Sequence, residues 1–359
     1  MTSVGSLART PVLADVAELA GVSQQTVSRV VRGSPSVARR TRERVEQAIE
    51  EIGYQPNVAA RTLVTRRSHR IGVVVASTAV YGPAMTLIGI QEAARDAGYS
   101  VTVVMTNDLL PQSVAAALSE LRAQSVDGAI AVVPEDASQA AVVAAGATFP
   151  CVLAPGLDGA GVADAYWGEV AAAREATLHL LELGHETVHH VAGPQDWAES
   201  RARATGWRTA LVEQLRTVPR PVRGAWSAAS GLTAGRRAVA AGATAVFVAN
   251  DHMAIGVLRA VAEAGLSVPY DVSVVGFDDI PESGFLNPPL TTVHQDFAAI
   301  GRRCVGVLLA RLDQQVVDPG ALEPSLVLRS STAPPPHVTA PLSGANRVGV
   351  QPNGWKSAI

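Results

Sequence analysis

Cysteine is almost missing: Cys151 and Cys304 are the only thiols in 359 residues and stand far apart. A disulfide framework and a cysteine-built metal site are therefore excluded, and a reducing, cytoplasmic setting is expected. No stretch of about 18 apolar residues occurs, which excludes a membrane-spanning helix. The first residues, MTSVGSLARTPVLADVAELAG, hold no apolar run of about 7–15 residues before a small-residue cleavage site, so export is not expected. Aromatic residues make up 4% of the chain and charged residues 17%. No G-x-S-x-G, P-loop or G-x-G-x-x-G follows a strand pattern, so an enzyme has little support and no cofactor is expected.

One literal metal motif is present, His185-Glu186-Thr187-Val188-His189. Gly184 closes the preceding helical pattern, and Thr187-Val188 leads into a strand, where residues i and i+4 lie about 13 Å apart. Zinc ligands sit about 2.0–2.1 Å from the metal, so the pair is not read as a zinc site, and no metal is expected. His185 reads as a local cap, and both cysteines as buried, inert thiols.

What is present is a large apolar fraction, 48%, in a chain longer than one core usually supports. The net charge of −3 conceals an asymmetry. Residues 1–70 carry eleven arginines against six carboxylates, net +5, leaving the remainder with 18 basic and 26 acidic residues, net −8. A basic head on an acidic body fits a nucleic-acid-binding module joined to a domain of another kind, although charge alone also fits a solvated face.

The head reads as three short helices. Asp15–Ala20 and Ser23–Val31 flank a tight turn in which Gly21 suits a left-handed position, with Ser23 as the N-cap of the second segment. Ala17, Gly21 and Val27 fall where a helix-turn-helix needs a small crossing residue, a permissive turn and an apolar anchor. A third helix over 39–52 carries Val45, Ala48, Ile49 and Ile52 on one face and ends at Gly53. From Ile71 short apolar runs alternate with helical stretches. Strands are expected at 71–76, 100–105, 128–133, 151–154, 188–191, 245–249 and 272–276, the grammar of doubly wound parallel sheets in two lobes. After Ser331 the chain turns rich in Pro and Gly without periodicity and reads as a disordered tail.

The segments DVAELAGVSQQTVSRVV, SPSVARRTRERV, IGYQPNVAARTL, IGVVV, LLELGH, VANDHMAIG, DVSVVGFDD and PPLTTVHQDF, in this order, resemble the lac repressor family of bacterial transcription regulators. The resemblance spans about Val12 to Arg329. It implies an all-α helix-turn-helix head, a hinge helix, and a two-lobed core similar to periplasmic sugar-binding proteins, acting as a homodimer. The organisation expected is a flexible arm (1–10), a DNA-binding domain (11–56), a hinge and linker (57–70), an N-lobe (71–160 and 291–322), a C-lobe (161–290 and 323–331) and the tail (332–359).

At the DNA end, Gln24, Gln25 and Arg29 would enter the major groove of a pseudopalindromic operator, where Gln suits adenine and Arg suits guanine. Ser23, Thr26, Ser28 and Arg32 suit phosphate contacts or capping. In the hinge the resemblance points to Asn57, Ala60 and Leu63, with Leu63 as an apolar wedge into the minor groove. That segment is too short to be a stable helix alone and is expected to order on DNA, so an effector that moves the lobes would change DNA affinity.

For the effector, the resemblance points to Trp167, Trp197, Arg201, Trp226, Asn250, Asp278, Gln295 and Phe297. Flat aromatic faces with planar polar groups are carbohydrate chemistry, favoured over a purine. The segment 224–231 most resembles the family's lac branch, yet Pro155 stands where that branch has a sugar-contacting aspartate, and Ala76 and Glu199 stand at its pocket serines. Ala14 also replaces a common aromatic in the head. An oligosaccharide in a wider cleft is thus as well supported as a galactoside. A same-fold regulator answering a non-sugar effector or a protein partner is the alternative. The tail lacks the leucine heptads of a tetramer, so a dimer is expected.

Overall fold

The computed structural model describes residues 11–31, 34–54, 67–75, 80–108, 110–154, 166–316 and 322–336, the side chain of Trp167 excepted. The hinge residues Asn57, Ala60 and Leu63, with Arg32, Ala76 and Pro155, lie outside these.

The head comprises α1 (Leu13–Leu19), α2 (Gln24–Val31) and α3 (Arg39–Ile52). Val16, Val27 and Val45 are fully buried and, with Ala17, Val30 and Ala48, form its core. Gly21 takes φ +59° in the turn, a conformation that a side chain would strain. The Ser23 hydroxyl accepts from the Thr26 amide at 3.2 Å, which caps α2. Arg44 of α3 reaches back to donate to the carbonyls of Ala20 and Gly21 and so ties the turn to the third helix.

The N-lobe is a four-stranded parallel sheet built from β1 (Arg70–Val75), β2 (Ser100–Met105), β3 (Gly128–Val132) and β4 (Cys151–Leu153), in the order β2-β1-β3-β4. Its helices are α4 (Tyr81–Asp96), α5 (Pro111–Ala123) and α6 (Asp136–Ala145). β1 and β3 are apolar almost throughout, as strands covered on both faces must be.

The C-lobe holds β5 (His189–Ala192), β6 (Val222–Arg223), β7 (Ala245–Val248), β8 (Ser273–Asp278), β9 (Thr291–His294) and β10 (Ser325–Val327), with α7 (Trp167–Glu182), α8 (Ala198–Glu213), α9 (Ala228–Ala240) and α10 (Asp251–Glu263). The sheet order is β10-β9-β8-β7-β5-β6, and β10 alone runs antiparallel. A final helix, α11 (Phe297–Leu312), buries Cys304, Val305 and Leu308 against Ile71, Ile90 and Ile130 of the N-lobe.

Three features differ from the sequence expectation. Residues 291–294, expected to open the N-lobe's returning segment, pair with β8 in the C-lobe sheet. The crossing falls just after them, where Asp296 caps α11 by accepting from the Ala299 amide at 2.8 Å. Thr332 and Ala333, expected to lie in a disordered tail, are instead bonded to the core. Thr332 bonds to His179 at 3.0 Å, and Ala333 engages Ser273 through both its amide (3.0 Å) and its carbonyl (2.9 Å). His185 is a long-range tie instead of a local cap, bonding Thr244 at 3.0 Å and the Ala333 carbonyl at 3.0 Å. Among the described residues no helix is long and apolar enough to cross a membrane, and no cluster of three His, Cys, Asp or Glu could hold a metal ion. Burial pushes the Cys151 and Cys304 thiols up to about 11 and about 12, which leaves them inert.

Candidate effector cleft and DNA-facing helix

Parallel α/β sheets gather ligands at the carboxyl ends of their strands, where loops leave toward helices on either face. Here the carboxyl ends of both sheets face one cleft of about 670 Å³ that is open to solvent. The N-lobe contributes Thr86, Val132, Val133, Pro134 and Ala154; Phe297 and Ile300 come from the start of α11. The C-lobe contributes Tyr166, Glu169, Trp197, Glu199, Arg203, Trp226, Asn250, Asp278 and Gln295.

Six of the eight residues singled out for the effector therefore meet in one place: Trp197, Trp226, Asn250, Asp278, Gln295 and Phe297. Trp197 and Trp226 stand 5.3 Å apart between ring centroids at 52°, a two-plane apolar wall. Trp226 lies flat on Gly193, where a Cβ would meet its six-membered ring at 2.3–2.7 Å. Asn250 caps α10, accepting from the Met253 amide at 3.0 Å, while its amide nitrogen donates to the Trp226 carbonyl at 3.2 Å. Gln295 donates to Asp278 at 3.0 Å. Phe297 packs edge-on to Tyr81, 5.6 Å between centroids.

Arg201 does not line the cleft. It pairs with Asp136 of the N-lobe at 2.6 Å and donates to the Gln195 carbonyl at 3.1 Å, at the outer edge where the lobes touch. The guanidinium in the cleft belongs to Arg203, two residues on and therefore on another face of α8. Arg203 pairs with Glu169 at 3.0 Å and Asp278 at 3.3 Å, donates to the Ala249 carbonyl, and lies 3.9 Å over the ring of Phe277. Burial pulls its pKa down, but Glu169 and Asp278 more than offset this and the pKa is raised. Asp278 is pushed up to about 6 by burial, against the pull of Arg203 and Gln295.

Trp167 opens α7, and the aromatic lining the cleft at that point is its neighbour Tyr166. Glu169, Arg203 and Tyr166 were not singled out for this site from the sequence, and Glu199 entered there only as a departure at a pocket serine position. Glu199 and Arg203 did carry a readable signal, an i,i+4 acid–base pair on the α8 face that also carries Gly206, Trp207 and Ala210.

The lobes also touch beside the cleft. The Ala198 amide donates to the Pro134 carbonyl at 3.2 Å, and Glu135 forms an isolated β-bridge with Trp197. Tyr81 of α4 also approaches His252 of α10, with 6.1 Å between ring centroids.

In the head, Ser23, Gln24, Gln25 and Arg29 are exposed on α2, Thr26 and Ser28 are half-buried, and Val27 and Val30 face inward. Ser23 bonds Thr26 through both its amide and, at 2.9 Å, its hydroxyl, so it serves the helix. Gln24, Gln25 and Arg29 remain the outward polar set.

The description "bacterial regulatory proteins, lacI family" matches residues 12–57, and "periplasmic binding protein-like domain" matches residues 177–332. The chain is 38% identical over 332 residues to the lactose operon repressor of Escherichia coli (strain K12), covering 91% of this chain and 92% of that protein. It is 33% identical over 350 residues to the HTH-type transcriptional regulator CelR of Thermobifida fusca, covering 90% and 98%. The crystal structure of the lac repressor dimer bound to operator and the anti-inducer ONPF matches with a TM-score of 0.80 and 36% identity, over 90% of this chain and 100% of that one. The CelR–cellobiose complex matches with a TM-score of 0.65 and 31% identity, over 89% and 99%.

Proposed function

Because the chain belongs to the lacI family of bacterial regulatory proteins, we propose that it is an operator-binding repressor whose DNA affinity is set by a small carbohydrate held between its lobes. The observation that carries the sugar reading is the Trp197–Trp226 wall facing the amide and carboxyl groups of Asn250, Gln295 and Asp278 in one cleft. Aromatic faces stack on the C–H surface of a sugar ring, and planar polar groups pair with its hydroxyls. Trp197, Trp226, Asn250, Asp278, Gln295 and Phe297 are the effector contacts in this reading, with Arg203 in the place expected of Arg201, and Trp167, at the first position of α7, kept as a candidate. The lobe orientation would then be read out by the DNA-binding heads, paired in a homodimer as in the lac repressor dimer.

For DNA, Gln24, Gln25 and Arg29 are the base-reading side chains, with Thr26, Ser28 and Arg32 toward phosphate and Asn57, Ala60 and Leu63 acting in the minor groove. The test is fluorescence anisotropy on a labelled pseudopalindromic duplex from the protein's own upstream region, at stated salt, with and without a panel of mono- and disaccharides. Specific binding relieved by one sugar supports the whole reading. Specific binding that no sugar alters keeps the regulator and moves the effector to another class, and absence of specific binding removes the operator assignment.

A further inference from the structure

Two residues that line the cleft each carry a buried side-chain polar atom with no hydrogen-bond partner among the described residues: Oε2 of Glu199 and Nε1 of Trp226. Buried polar atoms without partners are rare and costly, and two in one cleft mark the places where a bound molecule would complete the bonding. The indole nitrogen can only donate. The carboxyl oxygen needs a group that donates to it or accepts from its proton. A hydroxyl does either, and also accepts from an indole.

The charge around Glu199 narrows this further. Glu169 and Asp278 line the same cleft, and Arg203 is the only cation among the described lining residues. Arg203 is already engaged by Glu169, Asp278 and the Ala249 carbonyl. Arg201, the other guanidinium on α8 near Glu199, is held outward by Asp136. Tyr166, the remaining titratable group beside it, is kept neutral by burial. The chain's single lysine, Lys356, lies outside the described residues.

On the sugar reading above, we propose that Glu199 is a specificity-determining residue, selecting an uncharged sugar that sets a hydroxyl against it and rejecting sugars that carry phosphate or carboxylate. An anionic substituent here would meet the carboxylates of Glu169 and Asp278, whose one guanidinium is already shared between them, with no free cation among the described lining residues and no positive charge on the neutral Glu199 carboxyl to offset them. Burial first, and then Glu169, push the Glu199 carboxyl up to about 8. It is therefore largely protonated near neutral pH and offers a donor and an acceptor together. Because the ligand completes its desolvation, binding holds the proton on, and affinity falls as pH rises through that value.

The test uses the full chain in isothermal titration calorimetry with cellobiose, lactose and maltose, and with glucose 6-phosphate, lactose 6′-phosphate and cellobiouronic acid as anionic counterparts. At least one neutral sugar is expected to bind, with the anionic counterparts weaker by about 100-fold or more. Its affinity should drop by about fivefold between pH 8 and pH 9. Glu199→Gln, isosteric and always neutral, should keep the neutral-sugar affinity at pH 7 within about threefold and remove that drop.

A phosphorylated or carboxylated sugar binding as tightly as its neutral parent would overturn the proposal while leaving the sugar reading standing. So would a Glu199→Gln variant with an unchanged pH profile. If no sugar of either kind binds to protein that still binds operator, the sugar reading falls and this proposal with it.

Discussion

Arg203→Ala is the substitution whose cost the structure fixes best. The guanidinium is about 5% exposed and neutralises Glu169 and Asp278 at 3.0 and 3.3 Å, with Asp278 itself buried. Removing one partner of a buried pair leaves uncompensated charge and typically costs about 3–5 kcal/mol. The contact over Phe277 at 3.9 Å is lost as well. For a core of this size about 1 kcal/mol shifts Tm by about 2–4 °C, so Arg203→Ala should melt about 6–20 °C below the parent at pH 7.5. Arg201→Ala is the internal control, since its pair with Asp136 is solvent-exposed on both sides and worth about 0–1 kcal/mol.

The same geometry sets the sign with pH. Without Arg203, Asp278 loses the partner that holds its pKa down, so the folded variant takes up a proton more readily than the unfolded chain. Its deficit should therefore shrink as pH is lowered from 7.5 toward 5. Differential scanning calorimetry at the two pH values measures both effects. A melting point within about 3 °C of the parent, or a deficit unchanged at pH 5, would refute the argument that Arg203 is the electrostatic keystone of the cleft.

Arg29→Ala should erase the preference for operator over scrambled DNA by about 1–3 kcal/mol, with cleft ligand binding untouched; a gel-shift series with unchanged sequence preference would count against it. Truncation after Ser331 should lower Tm by about 2–10 °C because it strips the Thr332 and Ala333 partners from His179, His185 and Ser273, whereas truncation after Pro336 should not. Sedimentation should find both truncated forms with the parent's oligomeric state. His190, stacked between Trp207 and Phe247, is held by burial at about 4. The unfolded chain takes up that proton near pH 6.5, so stability falls as pH drops from 6.5 to 4, by about 3 kcal/mol from this residue. His190→Phe should flatten that acid limb in urea titrations, and an equally steep limb would exclude His190 as its source.

How far the sequence discloses the molecule depends on what kind of signal each element carries. β1, β3 and β7 are unbroken apolar runs buried on both faces, and such runs are visible without any fold in mind. β9 is not. Its Thr291-Thr292 pair is buried yet polar, held by Ser331, whose hydroxyl accepts the Thr291 amide at 2.8 Å, and by Asp251, which accepts the Thr292 hydroxyl at 2.6 Å. A strand whose burial is made tolerable by partners 40 residues away leaves no local pattern. β6 and β10, two and three residues long, are too short for one. The cleft divides the same way. Trp197, Trp226, Asn250 and Gln295 sit in the turns that follow strands, where motif spacing fixes them, but the choice between Arg201 and Arg203 depends on the rotation of α8, which motif spacing does not carry.

That rotation matters because of what lies beyond it. Arg203 holds Asp278 at the end of β8, and Asp278 receives the Gln295 amide. The next residue, Asp296, caps α11, whose buried face belongs to the N-lobe core. Three consecutive residues thus pass from a side chain that lines the cleft, through a helix cap, to Phe297 at the head of the helix on the other lobe. A molecule that takes the Asp278 carboxyl competes directly with the Gln295 amide for it, at the point where the chain changes lobes. Coupling between sites requires an element that both occupants bias. In this chain the 295–297 crossing is placed to be one under the proposed function: it meets the cleft on the C-lobe side through Gln295 and the seat of α11 on the N-lobe side.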